Sequence, residues 1–187
     1  MRPTELPGGA VLRPLELADV PALLEAKLRT RHLMLRAVPD RPASFWTVEG
    51  QRDWVEQELR RDAAEESLTC VIARGPAVLG MLGLSGIVRG PFRNATISYW
   101  LDPAEHGKGL ASTAVAVICA AADAELDLHR IEAGTMADNV ASQRVLLRNG
   151  FEQLGRARDY VYSEGAWRDV LLFQRILHDR PLQTGHA

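Results

Sequence analysis

A glycine-rich turn between a strand-like and a helix-like segment most constrains the fold of this chain. Residues 95–101 are rich in β-branched and aromatic side chains and stop at the Asp-Pro pair 102–103, which predicts a strand. The alanine-rich run 110–125 predicts a helix. Between them, Gly107 and Gly109 allow a close approach of the backbone to a ligand. The unpaired amides that open the helix therefore predict an anion site suited to a pyrophosphate.

A second strand and helix follow the first pair along the chain. Residues 129–136 predict a strand, and the segment between Asn139 and Gly150 predicts a helix. Asn139 is suited to cap the start of this helix, and Gly150 to end it in the left-handed conformation. Asn139 and Ser142 are three residues apart, so we expect them to share one face of the helix near its N-terminus.

The rest of the chain predicts further strands and two more helices. The predicted strands are 11–17, 67–74, 78–88, 152–162 and 167–176, and the predicted helices are 19–34 and 47–62. This order gives an α+β fold with a mixed sheet of six or seven strands and about four helices. We expect one domain over residues 1–187, with loose tails at 1–9 and 182–187 because of their composition.

Composition excludes several classes of protein. A formal net charge of −2 gives no support for a dedicated nucleic-acid binder. Cys70 and Cys119 lie far apart in apolar runs, so we interpret them as buried small hydrophobes and not as a disulfide or metal site. No apolar run approaches the ~18 residues of a membrane span. Residues 1–9 lack the apolar core of a signal peptide, so we expect a cytoplasmic protein.

Five motifs, in order, resemble those of the GNAT superfamily of acetyl-CoA-dependent N-acetyltransferases. They are Tyr-Trp-Leu-Asp-Pro at 99–103, Gly-Lys-Gly-Leu-Ala at 107–111, His-Arg-Ile-Glu-Ala at 129–133, Asn139 with Ser142, and Asn-Gly-Phe at 149–151. The similarity is to the RimJ/RimL-type branch of ribosomal-protein N-terminal acetyltransferases, and it is dense from about residue 78 to residue 176. The resemblance implies a GNAT fold. It also implies direct transfer of the acetyl group from acetyl-CoA to a primary amine through a tetrahedral intermediate, a reaction that requires neither a metal nor a protein nucleophile.

The resemblance also implies which residues bind the cosubstrate. The backbone of strand segment 98–101, including Trp100 and Leu101, is expected to pair with the pantetheine arm and the acetyl carbonyl. The pyrophosphate is expected on the turn formed by His106, Gly107, Lys108, Gly109, Leu110 and Ala111. The family usually has Gln or Arg where this chain has His106, so a side-chain role at that position stays open. Lys108 is equally well interpreted as a solvated loop lysine.

Asn139 and Ser142 are implied to act at the sulfur end of the cosubstrate. By resemblance, Asn139 binds the pantetheine arm and Ser142 protonates the leaving thiolate. Many other GNAT enzymes use a tyrosine one turn further along, and Leu146 stands there, so Ser142 is favoured as the acid. The alternative is that the two residues are only a cap and a first-turn hydroxyl.

The general base is not evident in the sequence. Two positions that often carry a glutamate in related enzymes are Gly134 and Val161 in this chain. Period-two alternation would place Asp159 on the same strand face as Val161, which makes Asp159 the nearest carboxylate substitute. A solvated hairpin carboxylate, with proton loss to water, is the alternative. Weaker candidates are Tyr160, Tyr162 and Glu132.

The identity of the acceptor is left open by the sequence. The resemblance favours a protein N-terminal amine, for instance of a ribosomal protein. The alternatives are a small-molecule amine, such as an antibiotic or a polyamine, and a non-catalytic acyl-CoA-binding regulatory protein. We expect acceptor specificity to lie in about residues 29–61, where the resemblance is thinnest. A homodimer also remains an open alternative.

Two further groups of residues have two interpretations each. Trp46, Trp54 and Trp167 are suited either to line a substrate cleft or to pack in the core. The basic run of Lys27, Arg29, Arg31 and Arg36 predicts a solvated helix face, with steering of an acidic partner as the alternative.

Overall fold

The structure is a computed structural model and describes residues 1–32, 41–163 and 165–181. Its strands are β1 (Thr4–Leu6), β2 (Ala10–Pro14), β3 (Ser67–Arg74), β4 (Ala77–Val88), β5 (Asn94–Leu101), β6 (Arg130–Met136), β7 (Glu152–Ser163) and β8 (Ala166–Ile176). Its α-helices are α1 (Val20–Arg29), α2 (Val48–Ala63), α3 (Leu110–Ala124) and α4 (Val140–Arg148). No helix within these ranges is long and apolar enough to cross a membrane.

All eight strands lie in one sheet with the order β1-β2-β3-β4-β5-β6-β8-β7. Neighbouring strands are antiparallel except β5 and β6, which are parallel and are connected through α3. The α+β class and the mixed sheet are therefore confirmed. The sheet has eight strands, one more than the upper end of the predicted six or seven, because the sequence analysis missed β1.

The first nine residues are not a loose tail. β1 pairs with β2, with Leu6 opposite Ala10, and Leu6 is buried in the core. Gly8 and Gly9, both at φ +68°, reverse the chain between the two strands. The glycine-rich composition that suggested a tail is thus a hairpin turn. The predicted tail at 182–187 lies outside the described residues, as does the predicted end of the first helix at 34.

The sheet carries a separate hydrophobic cluster on each face. On one face, α3 and α4 pack against the sheet through residues such as Leu110, Ile118 and Leu146. On the other face, α1 and α2 pack through Leu23 and Val55. Burying each such Leu or Ile side chain contributes about 1.5–3 kcal/mol. The two faces are called the α3/α4 face and the α1/α2 face below.

Local signals account for the ends of the helices that border the site. The Thr47 hydroxyl accepts a hydrogen bond from the Gly50 amide and caps α2. The Asn139 side chain accepts from the Ser142 amide at 3.1 Å and caps α4. Gly150, at φ +73°, ends α4, as its position predicts.

The parallel strands β5 and β6 part after three residue pairs. They pair from Asn94 opposite Arg130 to Thr96 opposite Glu132. Beyond that point, β5 stays paired with β4 as far as Leu101, and β6 stays paired with β8 as far as Met136. The facing edges of β5 and β6 are therefore unpaired from residues 97 and 133 onward, which opens a gap in the middle of the sheet.

Candidate active site

The gap between β5 and β6 belongs to a cleft of about 1460 Å³. This volume exceeds the roughly 300–1,000 Å³ of most small-molecule sites. The free edge of β5 lines the cleft, and its successive side chains point to opposite faces of the sheet. Tyr99 packs with the α3/α4 cluster, whereas Trp100 packs with the α1/α2 cluster. The cleft walls therefore come from both faces of the sheet.

The glycine turn before α3 forms one end of this cleft. Gly107 lies at φ +75° and Gly109 at φ +81°, conformations that L side chains rarely adopt. No atom lies within 4 Å of the place that a Cβ would take at either residue. Gly109 occupies the N-cap position of α3, and Leu110 and Ala111 follow it along the cleft. This open cradle at the positive end of a fifteen-residue helix fits a phosphate group.

An ion pair between Arg74 and Glu105 anchors the glycine turn to β3. Arg74, on β3, donates two hydrogen bonds to the Glu105 carboxylate at 3.0 and 3.1 Å. Lys108 Nζ lies 3.3 Å from the same carboxylate. The Arg74 hydrogen bond is the main cause that holds the pKa of Glu105 below its usual value. The side chain of Lys108 is thus turned to Glu105 and does not line the cleft.

His106 connects the turn to the end of β5. Its Nε2 lies 3.1 Å from the carbonyl oxygen of Leu101, and its side chain is exposed. The imidazole therefore holds the turn against the strand that borders the gap. This contact is with the protein's own backbone, and cosubstrate binding by the side chain of His106 stays a prediction.

Ser142 is hydrogen-bonded to a residue that the sequence interpretation did not assign. The Tyr99 hydroxyl lies 2.9 Å from Ser142 Oγ and also donates to the Ser142 carbonyl at 3.3 Å. Burial raises the pKa of Tyr99 to about 12, so its phenol stays protonated at neutral pH. Ala95, Ile97 and Tyr99 alternate along β5 on the α3/α4 face, and this period was the signal that could have located the tyrosine.

The positions considered for the base are not equivalent in the structure. Gly134, on β6, is exposed and contributes no functional group. Asp159 lies in a bulge of β7, where the pairing shifts between Ala157 and Val161. The alternation argument for Asp159 is therefore wrong, because period-two alternation does not hold through a bulge. Asp159 has φ +49°, is exposed, and donates its amide to the Asp169 carboxylate at 2.9 Å.

Aromatic side chains line the α1/α2 side of the cleft. Phe45, Trp46 and Trp54 contribute there, and Trp167 lines the cleft from the β7–β8 hairpin. The ring centroid of Phe45 lies 5.3 Å from that of Trp46 and 6.4 Å from that of Trp54, both edge to face. All three tryptophans line the cleft, and Trp54 also packs against the α1/α2 cluster, so both interpretations hold for Trp54.

Lys27 is buried on the same wall. It is 2 % exposed, so the prediction of a solvated face is wrong for this residue. Lys27 follows Leu23 by four residues and Val20 by seven, which places it on the buried stripe of α1. Arg29 is 45 % exposed and pairs with Asp102 at 2.9 Å, and Arg36 lies outside the described residues.

The described part of the chain holds no group of three or more His, Cys, Asp or Glu side chains that could bind a metal ion. Cys70 and Cys119 are both free and buried, and burial raises the pKa of each thiol. The cleft is lined both by the open glycine turn, which suits an anion, and by the Tyr99–Ser142 pair, which positions a hydroxyl.

Comparisons with known proteins agree with this geometry. A profile of the acetyltransferase (GNAT) domain matches residues 10–152. The Bacillus subtilis (strain 168) protein named probable N-acetyltransferase YjcK is 37% identical over 160 residues, which are 84% of this chain and 88% of that protein.

Two solved structures share the architecture over nearly the whole chain. One is the ribosomal-protein-S5-alanine acetyltransferase from Vibrio fischeri, at TM-score 0.92 and 28% identity, over 97% of this chain and 100% of that one. The other is Mycobacterium smegmatis RimJ in complex with CoA-disulfide, at TM-score 0.86 and 27% identity, over 93% of this chain and 85% of that one.

Proposed function

The chain belongs to the GNAT acetyltransferase family, and we propose that this N-acetyltransferase transfers the acetyl group of acetyl-CoA to the N-terminal amine of a protein. The gap between β5 and β6 is the observation that carries this proposal. It leaves backbone hydrogen-bonding groups of both strands free and connects the two faces of the sheet. A donor on one face and an acceptor on the other can meet there.

The α3/α4 face is the donor side in this proposal. The backbone at Gly107, Gly109, Leu110 and Ala111 holds the pyrophosphate, and the unpaired edge at 98–101 holds the pantetheine arm and the carbonyl. Asn139 borders the same arm. Acetyl-CoA supplies an acyl group that is already activated as a thioester. Ser142, held by Tyr99, is the proton donor on this side.

The α1/α2 face is the acceptor side. Its wall of aromatic side chains from α2 and the preceding turn, with Trp167 across the cleft, is suited to an extended chain end. The Vibrio fischeri neighbour is named for an alanine of a ribosomal protein, which supports a protein N-terminus as acceptor. We place the reaction in the cytoplasm, where ribosomal proteins are made.

Three acceptors test the proposal. The protein is incubated with acetyl-CoA and a lysine-free peptide that begins with alanine, or an Nα-blocked peptide that contains lysine, or a polyamine. Mass spectrometry then identifies each product. An α-amine has a pKa near ~8 and a lysine near ~10.4, so the α-amine offers far more free base at neutral pH.

We expect the free N-terminus to be acetylated fastest. Faster acetylation of the blocked peptide would contradict an N-terminal acceptor, and preference for the polyamine would make the protein a small-molecule acetyltransferase. Binding of acetyl-CoA without transfer to any amine of a host lysate would make it a regulatory acyl-CoA binder.

A further inference from the structure

Lys27 lies in a cage of aromatic rings on the acceptor side of the cleft. Its Nζ is 3.5 Å from the centre of the Trp54 ring and 4.8 Å from that of the Phe45 ring. Lys27 lines the cleft although it is only 2 % exposed. A buried amine at a substrate cleft needs an explanation, because lysine is rarely buried without a paired charge.

A polar contact orients the Lys27 amine. Nζ donates to Gln51 Oε1 at 2.8 Å. Gln51 is fully buried, and its own amide nitrogen donates to the Phe45 carbonyl at 2.5 Å. Because the amide nitrogen is used in this way, the amide oxygen must face Lys27. Gln51 thus fixes one N–H of Lys27, a residue that lines the cleft.

Position 27 carries a lysine in a chain whose basic residues are nearly all arginine. Of the 22 basic residues, 20 are arginine, and the two lysines are Lys27 and Lys108. Arginine makes better cation–π and ion-pair contacts but does not lose its proton in proteins. A purely structural cation in an aromatic cage would be served by arginine. Lysine, unlike arginine, can give up and take back a proton near neutral pH when burial lowers its pKa.

The surroundings of Lys27 bring both of its protonation states into the neutral range. Burial is the main cause that lowers the pKa of Lys27 to about 7, and the nearby Arg41 guanidinium lowers it further. Glu58, on α2, raises it. The Trp54 ring face also favours the ammonium form. A neutral amine is therefore available to accept a proton near pH 7.

We propose that Lys27 is the general base that removes the proton from the acceptor ammonium group. The inference rests on the proposed acetyl transfer, though not on which amine is the acceptor. The N–H bond of the acceptor ammonium breaks and its electron pair stays on the acceptor nitrogen, which becomes the nucleophile. The proton forms a new N–H bond at Lys27 Nζ and leaves to solvent between turnovers.

The placement of the two proton-transfer groups fits this role. Lys27 lies on the α1/α2 face, and Ser142 lies on α4 beside Tyr99, which belongs to the other face. A base on the acceptor side and an acid on the donor side are what direct transfer requires. Gly134 supplies no carboxylate from β6, and of the carboxylates that line the cleft, Glu58 lies on the acceptor side with Lys27 and is therefore the rival base.

The titration of Lys27 can be observed without activity. Growth on lysine labelled with ¹³C at Cε gives a protein with two lysine signals, and the Lys27→Arg variant assigns them. We expect the Lys27 signal to titrate near neutral pH. A Lys27 signal that titrates only above about pH 9.5, near the value of a free lysine, would overturn the proposal.

Two variants test the base in catalysis. Lys27→Met keeps the length of the side chain without the amine, and Lys27→Arg keeps the charge without a removable proton. We expect both to lower kcat about 100-fold at pH 7.5, with the KM for acetyl-CoA within about twofold. The rise of kcat with pH should move from near pH ~7 to the higher pKa of the acceptor amine, which must then lose its proton unaided. Arg60→Met, on the exposed side of α2, is the matched control, and thermal unfolding checks each fold.

The outcomes separate this proposal from the proposed function. Wild-type kcat and pH profile in Lys27→Arg would overturn the base assignment while acetyl transfer stands. An upward shift of the rise of kcat with pH in Glu58→Gln but not in Lys27→Met would also overturn it, because Glu58 would then be the base. So would an acetyl group found on Lys27 itself. If wild-type protein acetylates no amine, the proposed function fails, and a Lys27 titration near neutral pH in that protein would not rescue the base assignment.

Discussion

The hydroxyl of Tyr99 lies 2.9 Å from Oγ of Ser142 and connects the free edge of β5 with the first turn of α4. The two residues are 43 positions apart in the chain. The phenol stays protonated because burial raises its pKa to about 12. Tyr99 can therefore donate to Ser142 Oγ, or accept from it, without a change of charge.

This pair makes Tyr99 a positioning residue for Ser142. We expect Ser142→Ala to lower kcat about 10- to 100-fold and Tyr99→Phe to lower it about 3- to 10-fold, with acetyl-CoA affinity nearly unchanged in both. The double variant should be no slower than Ser142→Ala, because the two residues act as one unit. Steady-state kinetics of the four proteins measures this, and additive losses would contradict the coupling.

The glycine turn predicts a selective loss of cosubstrate binding. Gly109→Val should weaken acetyl-CoA binding at least tenfold, because the side chain would occupy the cradle before the amides of α3. Gly90→Val is the matched control, since Gly90 also has a positive φ, +68°, and open space around it, but lies away from the cleft. Calorimetry should find the affinity of the control unchanged. Equal affinities for both variants would contradict the assignment of the turn.

The ion pair beneath the turn predicts a weaker effect in the same direction. Arg74→Met leaves the Glu105 carboxylate with Lys108 alone and makes the region of the turn more negative. We expect acetyl-CoA affinity to fall about 3- to 10-fold, more at low salt than at high salt. Arg89→Met, which removes an exposed pair with Glu65, serves as control. An affinity that does not depend on Arg74 would show that the turn keeps its shape without this anchor.

Lys27 predicts a pH dependence of stability. Its pKa is about 7 in the folded protein and about 10.4 in an unfolded chain. Between these values the unfolded chain binds more protons, so the free energy of unfolding rises with pH across this window and is lowest below about pH 7. Lys27→Met should lose this rise, whereas Arg60→Met should keep it. Urea unfolding at pH 6 and at pH 9 gives the free energy of unfolding at each pH. An equal change of this free energy between the two pH values in wild type and in Lys27→Met would contradict the prediction.

Those parts of the site that depend on neighbours in sequence could be predicted. The Gly107–Gly109 turn, the Asn139 cap and the Gly150 terminator each follow from residues a few positions apart, and the structure has all three. The β3–β4 and β7–β8 hairpins follow from alternation and turn residues in the same way. Glycines near a chain end are typical both of a loose tail and of a hairpin turn. For Gly8 and Gly9 the sequence analysis predicted the tail, whereas the structure has the turn between β1 and β2.

The sequence by itself therefore determined the order of elements, the glycine turn and the helix caps, because backbone conformation and capping are decided within one turn of the chain. Only the tertiary structure decided that β5 and β6 part after Thr96, that Tyr99 reaches Ser142, and that Lys27 is buried beside Trp54. Each of these depends on which surfaces pack together across long stretches of chain. Burial and long-range contacts set the protonation and the geometry of the site, and no local pattern encodes them.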